Sequence, residues 1–207
     1  MLNIAVLVSG GGTNLQALID AIDKGGINGR ITAVISNRPG AYALERAEKS
    51  YIPVSVIERK NFESSDAFDR ALLEALRAAE AELIVLAGFL SILGAAVTDE
   101  YKNRIINVHP SLIPSFCGDG YYGLRVHEAV LKYGVRVTGA TVHFVNDAVD
   151  GGAIILQKAV EVRADDTPET LQQRVMKEAE WVILPRAVAL FCEGKIVLEK
   201  DRVFIRE

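Results

Sequence analysis

The chain has 207 residues, of which half are apolar and 24% are charged, a composition typical of an ordinary globular domain. Its 27 acidic and 23 basic side chains give a net charge of −4, which excludes the overall positive charge that nucleic-acid-binding proteins carry. Its two cysteines, Cys117 and Cys192, lack the spacing of a metal cluster, and we expect reduced thiols in a cytoplasmic protein.

Apolar runs alternate with helical patterns along the first half of the chain. Near-continuously apolar runs predict buried strands at residues 2–8, 31–36, 53–57, 83–87 and 104–108. Apolar residues at helical spacing predict helices at 14–24, at 42–50 and from Ser64 or Ser65 to about residue 80. Because strands that alternate with helices form a parallel sheet covered on both faces, we expect an α/β fold.

The pattern changes in the second half of the chain. The apolar stretches 136–145 and 153–162 are separated only by residues 146–152, and so short a connection predicts antiparallel pairing. We therefore predict one domain, residues 1–207, with a Rossmann-like, mostly parallel twisted sheet that has helices on both faces and an antiparallel addition near its C-terminal part.

A long helix is predicted after these strands. Asp166 or Thr167 caps it, and it extends to about Cys192 with a kink expected at Pro185. A small hairpin within residues 195–205 completes the chain.

Three consecutive glycines follow the first predicted strand, in the segment Ser9-Gly10-Gly11-Gly12-Thr13-Asn14. A strand, a glycine loop and a helix start present free N–H groups and a positive helix end to an anion. The third glycine of the dinucleotide fingerprint and the lysine of a P-loop are both absent from this segment. The segment therefore predicts a lone phosphate held by the backbone of residues 10–14, with help from the Thr13 hydroxyl and the Asn14 amide. A tight turn without a ligand is the alternative.

A second candidate site lies at the end of the strand that contains Ile105 and Ile106. Asn107 and His109 alternate with their neighbours and point to the same side, at the carboxyl edge of the sheet where such folds bind ligands. An amide donor beside an imidazole suits a developing oxyanion, although a histidine at a strand end can also be structural.

Three further groups bear on this site. Asp147 and Asp150 lie in a glycine-containing loop, where aspartates usually form turns, but one of the two carboxylates could hold the His109 imidazolium. His143 lies on a strand and is expected to be packed or to face substrate, and His127 is expected on the surface of a helix.

Several segments of the chain resemble folate-dependent formyltransferases, and among them the glycinamide ribonucleotide enzymes. The Asn-x-His-Pro-Ser-Leu-x-Pro run at 107–114 is specific to the wider family, and the Ser-Gly-x-Gly-Thr-Asn run at 9–14 narrows the resemblance. The other matching segments are Leu86-Ala87-Gly88-Phe89, Val142-His143-Phe144-Val145 and Asp150-Gly151-Gly152.

The resemblance implies roles for individual residues. The catalytic set would be Asn107, His109 and Asp150. The ribonucleotide would be bound by Gly12, Thr13, Asn14, Lys177 and Glu180, with Glu180 facing the ribose hydroxyls. The co-substrate 10-formyltetrahydrofolate would contact Leu90, Ser91, Ile92, Leu93, Asn107, Asn146, Asp147, Ala148, Val149 and Asp150. No metal is implied.

The implied reaction moves a formyl group from 10-formyltetrahydrofolate to the amine of glycinamide ribonucleotide, in purine biosynthesis, through a tetrahedral oxyanion. The alternatives are a 10-formyltetrahydrofolate hydrolase, a formyl-methionyl-tRNA enzyme and a non-catalytic nucleotide-binding module. We expect small-molecule substrates, no nucleic-acid or membrane partner, and a monomer or homodimer.

Two features differ between this chain and some relatives or stand out within it. Some relatives have an arginine at the position of Ser91 and a basic residue near the position of Ser65. The glycines within residues 116–123 indicate a flap over the ribonucleotide.

Overall fold

The computed structural model describes residues 1–206, which form a seven-stranded sheet flanked by helices and a separate two-stranded hairpin. The strands are β1 Leu2–Val8, β2 Gly29–Ser36, β3 Val54–Val56, β4 Leu83–Leu86, β5 Ile105–His109, β6 Val137–Phe144, β7 Ile154–Glu161, β8 Ile196–Glu199 and β9 Arg202–Ile205. The α-helices are α1 Thr13–Asp23, α2 Tyr42–Lys49, α3 Ser65–Ala78, α4 Ala95–Glu100, α5 Leu124–Tyr133, α6 Pro168–Val175 and α7 Trp181–Cys192.

The sheet has the order β3-β2-β1-β4-β5-β6-β7. Strands β1 to β5 pair in parallel, whereas β6 is antiparallel to both β5 and β7. The predicted fold class is therefore confirmed. The chain winds outward from β1 to β3 and then restarts at β4 on the other side of β1. Ligands bind at the carboxyl ends of the strands where the winding reverses, and the loops after β1 and β4 lie there.

Two apolar layers enclose the sheet because successive side chains of each strand point to opposite faces. In β1, Ile4, Val6 and Val8 pack with α1, α2, α5, α6 and α7, whereas Ala5 and Leu7 pack with α3 and α4. All of these β1 side chains are buried. The strand ends are therefore held rigidly under the loops that carry the candidate site. No helix within residues 1–206 is long and apolar enough to cross a membrane.

The long C-terminal helix is not a uniform α-helix. Thr167 caps it through a capping box with Thr170, as one of the two predicted caps. Its irregular part is a π turn at Met176–Glu180, five residues before Pro185, and α7 continues through the proline. A π turn holds more residues than an α turn and so rotates the side chains that follow. The consecutive residues Ala179 and Glu180 are both buried here.

Candidate active site

The glycine loop is open on one side and closely packed on the other. Gly12 has φ +71°, and a Cβ there would lie 2.6 Å from the Cβ of Ala43, so this position needs glycine. A Cβ added at Gly10 or Gly11 would meet nothing within 4 Å among the described residues. The loop therefore leaves free space beside the start of α1.

The orientation of the loop backbone determines what faces that space. The carbonyl oxygens of Gly10 to Gly12 accept hydrogen bonds from the backbone N–H of Ala43, from Nε of Arg46 and from the backbone N–H of Gln16, at 3.0, 2.8 and 2.9 Å. Within residues 1–206, none of the backbone hydrogen bonds of turns, loops and helix caps is donated by the N–H groups of residues 10–14, so these groups remain for a ligand. This is the arrangement of an anion site at a helix N-terminus.

The side chain of Asn14 turns away from the loop and into the protein. It is 8% exposed, and its Nδ2 donates to Oε2 of Glu180 at 2.6 Å. Burial raises the pKa of Glu180 to about 7, against the hydrogen bond from Asn14, which lowers it. Glu180 thus lies beside the glycine loop, although 166 residues separate it from Asn14 in the sequence. Lys177, also predicted to contact the ribonucleotide, is exposed on the π turn.

At the end of β5, Asn107 is held by a histidine from the neighbouring strand. Nδ1 of His143 lies 2.8 Å from the carbonyl oxygen of Phe144, which can only accept, so Nδ1 carries the hydrogen. Nε2 is then the acceptor for Nδ2 of Asn107 at 3.1 Å. One of the two amide hydrogens of Asn107 is used in this contact and the other remains free. His143 is 1% exposed, as a packed residue would be.

His109 is held on both sides of its ring. Nε2 donates to the carbonyl oxygen of Phe116 at 2.9 Å, and Nδ1 lies 3.5 Å from Oδ2 of Asp150. Burial lowers the pKa of His109, although the Phe116 carbonyl and the Asp150 carboxylate act to raise it. The ring is therefore neutral near pH 7 with its free lone pair on Nδ1. A proton taken up there would point at Asp150.

Asp150 completes the cluster from the loop between β6 and β7. Its Oδ2 accepts the N–H of Gly118 at 2.8 Å, and its Oδ1 lies 3.6 Å from Nε2 of His143. Burial acts to raise the pKa of Asp150, but His143, the Gly118 N–H and His109 outweigh it and the pKa is lowered. Asp150 is therefore ionised at neutral pH. The structure brings Asn107, His109 and Asp150 together, whereas Asp147 accepts from the hydroxyl of Thr98 at 3.2 Å.

The glycines after Asp150 allow its loop to fold back on β6. A Cβ at Gly152 would lie 1.8 Å from the carbonyl oxygen of Phe144, and one at Gly151 would lie 2.6 Å from the Cβ of Ala148. Asp150 itself has φ +54°. The close approach of the loop backbone to β6 is what carries the carboxylate to His109 and His143.

A cavity of about 280 Å³ opens beside the cluster. All the residues predicted to contact the folate line it: Leu90, Ser91, Ile92, Leu93, Asn107, Asn146, Asp147, Ala148, Val149 and Asp150. The segment after β4 is held by two side chains from neighbouring strand ends. Oγ of Ser9 accepts the N–H of Leu90, and Nδ2 of Asn37 donates to Oγ of Ser91, both at 2.8 Å.

The glycine-rich flap, residues 116–123, contacts the cluster directly. Phe116 and Gly118 supply the carbonyl and the N–H that hold His109 and Asp150. Positive φ angles at Phe116, Gly118, Gly120 and Gly123 bend the flap over the cavity, which residues 118–123 line. Sequence reasoning missed Phe116 and Gly118 because they act through backbone atoms. The repeated glycines were the available signal.

One prediction about a histidine was wrong. His127 was expected on the surface, but it is fully buried in the first half of α5, beside the buried Val126. Burial, with a smaller effect from His109, lowers the pKa of His127 to about 4, so the ring is neutral. Val126, His127 and Val130 are the buried residues of α5, so His127 lies on the side of the helix that packs against the core.

A fold of this kind, with an amide, an imidazole and a carboxylate at the carboxyl edge of the sheet, is that of the formyl transferase class. The formyl transferase family matches this chain over residues 2–188. The chain therefore belongs to the formyl transferase family, as the motifs indicated.

The chain is similar over its whole length to glycinamide ribonucleotide enzymes within this family. It is 41% identical over 205 residues to phosphoribosylglycinamide formyltransferase of Haemophilus influenzae, covering 99% of this chain and 94% of that protein. The crystal structure of glycinamide ribonucleotide transformylase 1 from Symbiobacterium toebii has a TM-score of 0.95 and 44% identity, and the match covers 100% of this chain and 95% of that one.

Other relatives are longer than this chain. The trifunctional purine biosynthetic protein adenosine-3 of Gallus gallus is 46% identical over 93% of this chain, which spans only 19% of that protein. The crystal structure of a formyltetrahydrofolate deformylase from Pseudomonas syringae has a TM-score of 0.88 at 23% identity, and this chain covers 66% of it. The deformylase likeness shows a shared fold alone.

Proposed function

We propose that the protein transfers the formyl group of 10-formyltetrahydrofolate to the amine of glycinamide ribonucleotide, a step of purine biosynthesis. The observation that carries this proposal is the convergence of Asn107, His109 and Asp150 beside a cavity, with an open glycine loop two strands away in the same edge of the sheet. The full-length similarity to enzymes with this name supports the choice of both substrates.

The ribonucleotide is placed by the glycine loop. Its phosphate accepts hydrogen bonds from the backbone N–H groups of residues 10–14, where the positive end of α1 adds to the attraction. Glu180 receives the ribose hydroxyls, and the exposed Lys177 supplies a cation near the phosphate. The amine of the substrate then extends along the sheet edge to Asp150.

The folate enters the cavity of about 280 Å³. The backbone of residues 90–93 and of residues 146–150 supplies the donors and acceptors for the edges of the pterin ring. Anchoring of Leu90 and Ser91 by Ser9 and Asn37 keeps these groups in place before the substrate binds. The formyl carbon then lies beside Asn107 and His109.

The transfer begins when the amine nitrogen adds to the formyl carbon. Asp150, which is ionised at neutral pH, takes the proton that the amine releases, directly or through a water molecule. The contact of 3.5 Å between Asp150 and Nδ1 of His109 then lets the proton reach the imidazole. No bond forms between the substrate and the protein, because none of the converging groups needs to act as a nucleophile.

The negative charge that develops on the formyl oxygen is stabilised by a hydrogen bond and by a nearby positive charge. The free amide hydrogen of Asn107 donates the hydrogen bond, and His109 carries the positive charge once its Nδ1 has taken up the proton, which stays directed at Asp150. One donor of this kind contributes about 2.7–4 kcal/mol to the stability of a transition state. The intermediate collapses when the folate nitrogen leaves and receives the proton, and the formyl group remains on the amine.

The test is formation of tetrahydrofolate, followed by absorbance, with and without glycinamide ribonucleotide. Tetrahydrofolate that appears only when the amine is present supports the transferase. Formation at the same rate without the amine would instead indicate the hydrolase, and no formation in either case would leave only a nucleotide-binding module.

A further inference from the structure

We propose that the Asn14 carboxamide is a positioning group for Glu180, which binds the ribose hydroxyls, and that the phosphate is held by the loop backbone without this side chain. The inference rests on the proposed function and changes the role of one residue within it. Asn14 was expected to place its amide on the phosphate, but the amide is directed into the protein.

The first support is the geometry of the pair. Nδ2 of Asn14 is 2.6 Å from Oε2 of Glu180, and both residues are buried, at 8% and 6% exposure. The hydrogen of Nδ2 that makes this bond is committed to the carboxylate, and burial of the side chain leaves the second hydrogen little access to a phosphate in the open space beside the loop. The loop N–H groups do not depend on this side chain, because the glycine carbonyls are held by α2 and α1.

The second support is an imbalance of donors and acceptors. Among residues 1–206, Asn14 is the hydrogen-bond donor to the Glu180 carboxylate, and no salt bridge neutralises this carboxylate. Oδ1 of Asn14 is also buried and has no donor there. A buried acceptor without a donor is costly. The pair therefore lacks donors, and the two hydroxyl groups of a ribose ring supply them.

The third support is the π turn at Met176–Glu180. Glu180, the last residue of this turn, is buried and contacts Asn14 in the first turn of α1. Asn14 therefore links the loop that receives the phosphate to the residue that receives the sugar. When phosphate orders the loop, it also orders the Glu180 carboxylate, because the backbone of Asn14 belongs to the loop and its side chain holds the carboxylate.

The experiment measures dissociation constants of two probes, ribose 5-phosphate and inorganic phosphate, for the wild type and for Asn14→Ala and Glu180→Gln. We expect each variant to bind ribose 5-phosphate about ten-fold more weakly while inorganic phosphate changes by less than about two-fold. Glu178→Gln, an exposed carboxylate two residues away, is the matched control and leaves both constants unchanged. An equal loss for inorganic phosphate in Asn14→Ala would overturn the inference.

Exchanging the carboxamide and the carboxylate between positions 14 and 180 tests whether Asn14 acts through Glu180. Asn14→Asp places a second carboxyl group against Glu180, and two carboxylates at that distance repel each other, so we expect this variant to bind ribose 5-phosphate more weakly than the wild type. Adding Glu180→Gln restores one carboxylate and one carboxamide, and we expect affinity to recover. A double variant as weak as Asn14→Asp would contradict the positioning role. Melting temperatures identify variants that do not fold, and Asn14→Ser then replaces Asn14→Ala.

The proposed function and this inference fail in different ways. If the wild type does not transfer formyl groups to glycinamide ribonucleotide, the proposed function is wrong. If it does and the two probes respond alike to Asn14→Ala, only the assignment of Asn14 is wrong.

Discussion

The carbonyl oxygen of Phe116 accepts a hydrogen bond from Nε2 of His109 at 2.9 Å, and this bond decides which ring nitrogen can take part in chemistry. Because a carbonyl only accepts, Nε2 carries the hydrogen, and Nδ1 is left to exchange a proton. Phe116 reaches this position with φ +50°, in the left-handed region that is costly for a residue with a side chain. Its backbone is thus part of the candidate site.

Removing the carboxylate should abolish most of the turnover. Asp150→Asn keeps the shape of the side chain but leaves no base for the amine proton. We expect kcat to fall by about 10²–10⁴-fold, the usual contribution of a general base, while the melting temperature stays close to that of the wild type. Steady-state kinetics with both substrates checks this. Near-normal turnover would show that Asp150 has no part in the proton transfer.

Loss of the hydrogen-bond acceptor for Asn107 should lower kcat more than it weakens substrate binding. His143→Phe removes the atom that Nδ2 of Asn107 bonds, so the carboxamide is free to rotate away from the oxyanion. We expect kcat to fall about ten-fold with KM little changed.

His143→Gln is the companion variant, since its carbonyl oxygen can accept from Asn107 in place of the ring. Partial recovery of kcat in this variant is expected. A kcat equally low in both variants would favour a packing role for the imidazole.

Two neighbouring glycines should respond differently to the same change. Gly12→Ala forces a side chain to φ +71° and against Ala43, and we expect it to destabilise the fold by about 1–3 kcal/mol. Gly11→Ala adds a methyl group to open space, so the free energy of unfolding should hardly change while the affinity for inorganic phosphate falls. Urea titration and phosphate binding separate the two effects. Unchanged phosphate affinity in Gly11→Ala would show that the anion lies elsewhere.

Folding stability should depend on pH through Glu180. Its pKa is about 7 in the folded protein, above the ordinary value of 4.5, so the folded state binds more protons between these values. Stability therefore falls as pH rises from about 4.5 to 7 and then levels off, by roughly 3 kcal/mol in total. Unfolding free energies of the wild type and Glu180→Gln at pH 5 and pH 8 measure this. An identical pH dependence in the two proteins would contradict it.

Much of the fold could be predicted because its signals are local. The apolar runs that became β1, β4 and β5 are largely buried on both faces, as is the second half of β2. The short connection at residues 146–152 correctly predicted the antiparallel pair of β6 and β7. The π turn at 176–180 could not be predicted, because its residues have ordinary helical character. Pro185 indicated an irregularity in this long helix, and the π turn lies five residues before it.

The candidate site was predictable where side chains form it and not where the backbone does. Asn107 and His109 follow from strand alternation, and the position of Asp150 follows from the resemblance. The contacts of Phe116 and Gly118 depend on how the flap folds, and the bond between Asn14 and Glu180 joins distant segments. No rule based on the spacing of residues in the sequence predicts contacts between segments so far apart.

The most direct test of the central claim follows the fate of the formyl carbon. With 10-formyltetrahydrofolate labelled with ¹³C in the formyl group, NMR distinguishes a formylated amine on the ribonucleotide from free formate. Wild-type protein should place nearly all the label on glycinamide ribonucleotide, and Asp150→Asn should place almost none there. Label that accumulates as formate while the amine stays unmodified would contradict the account.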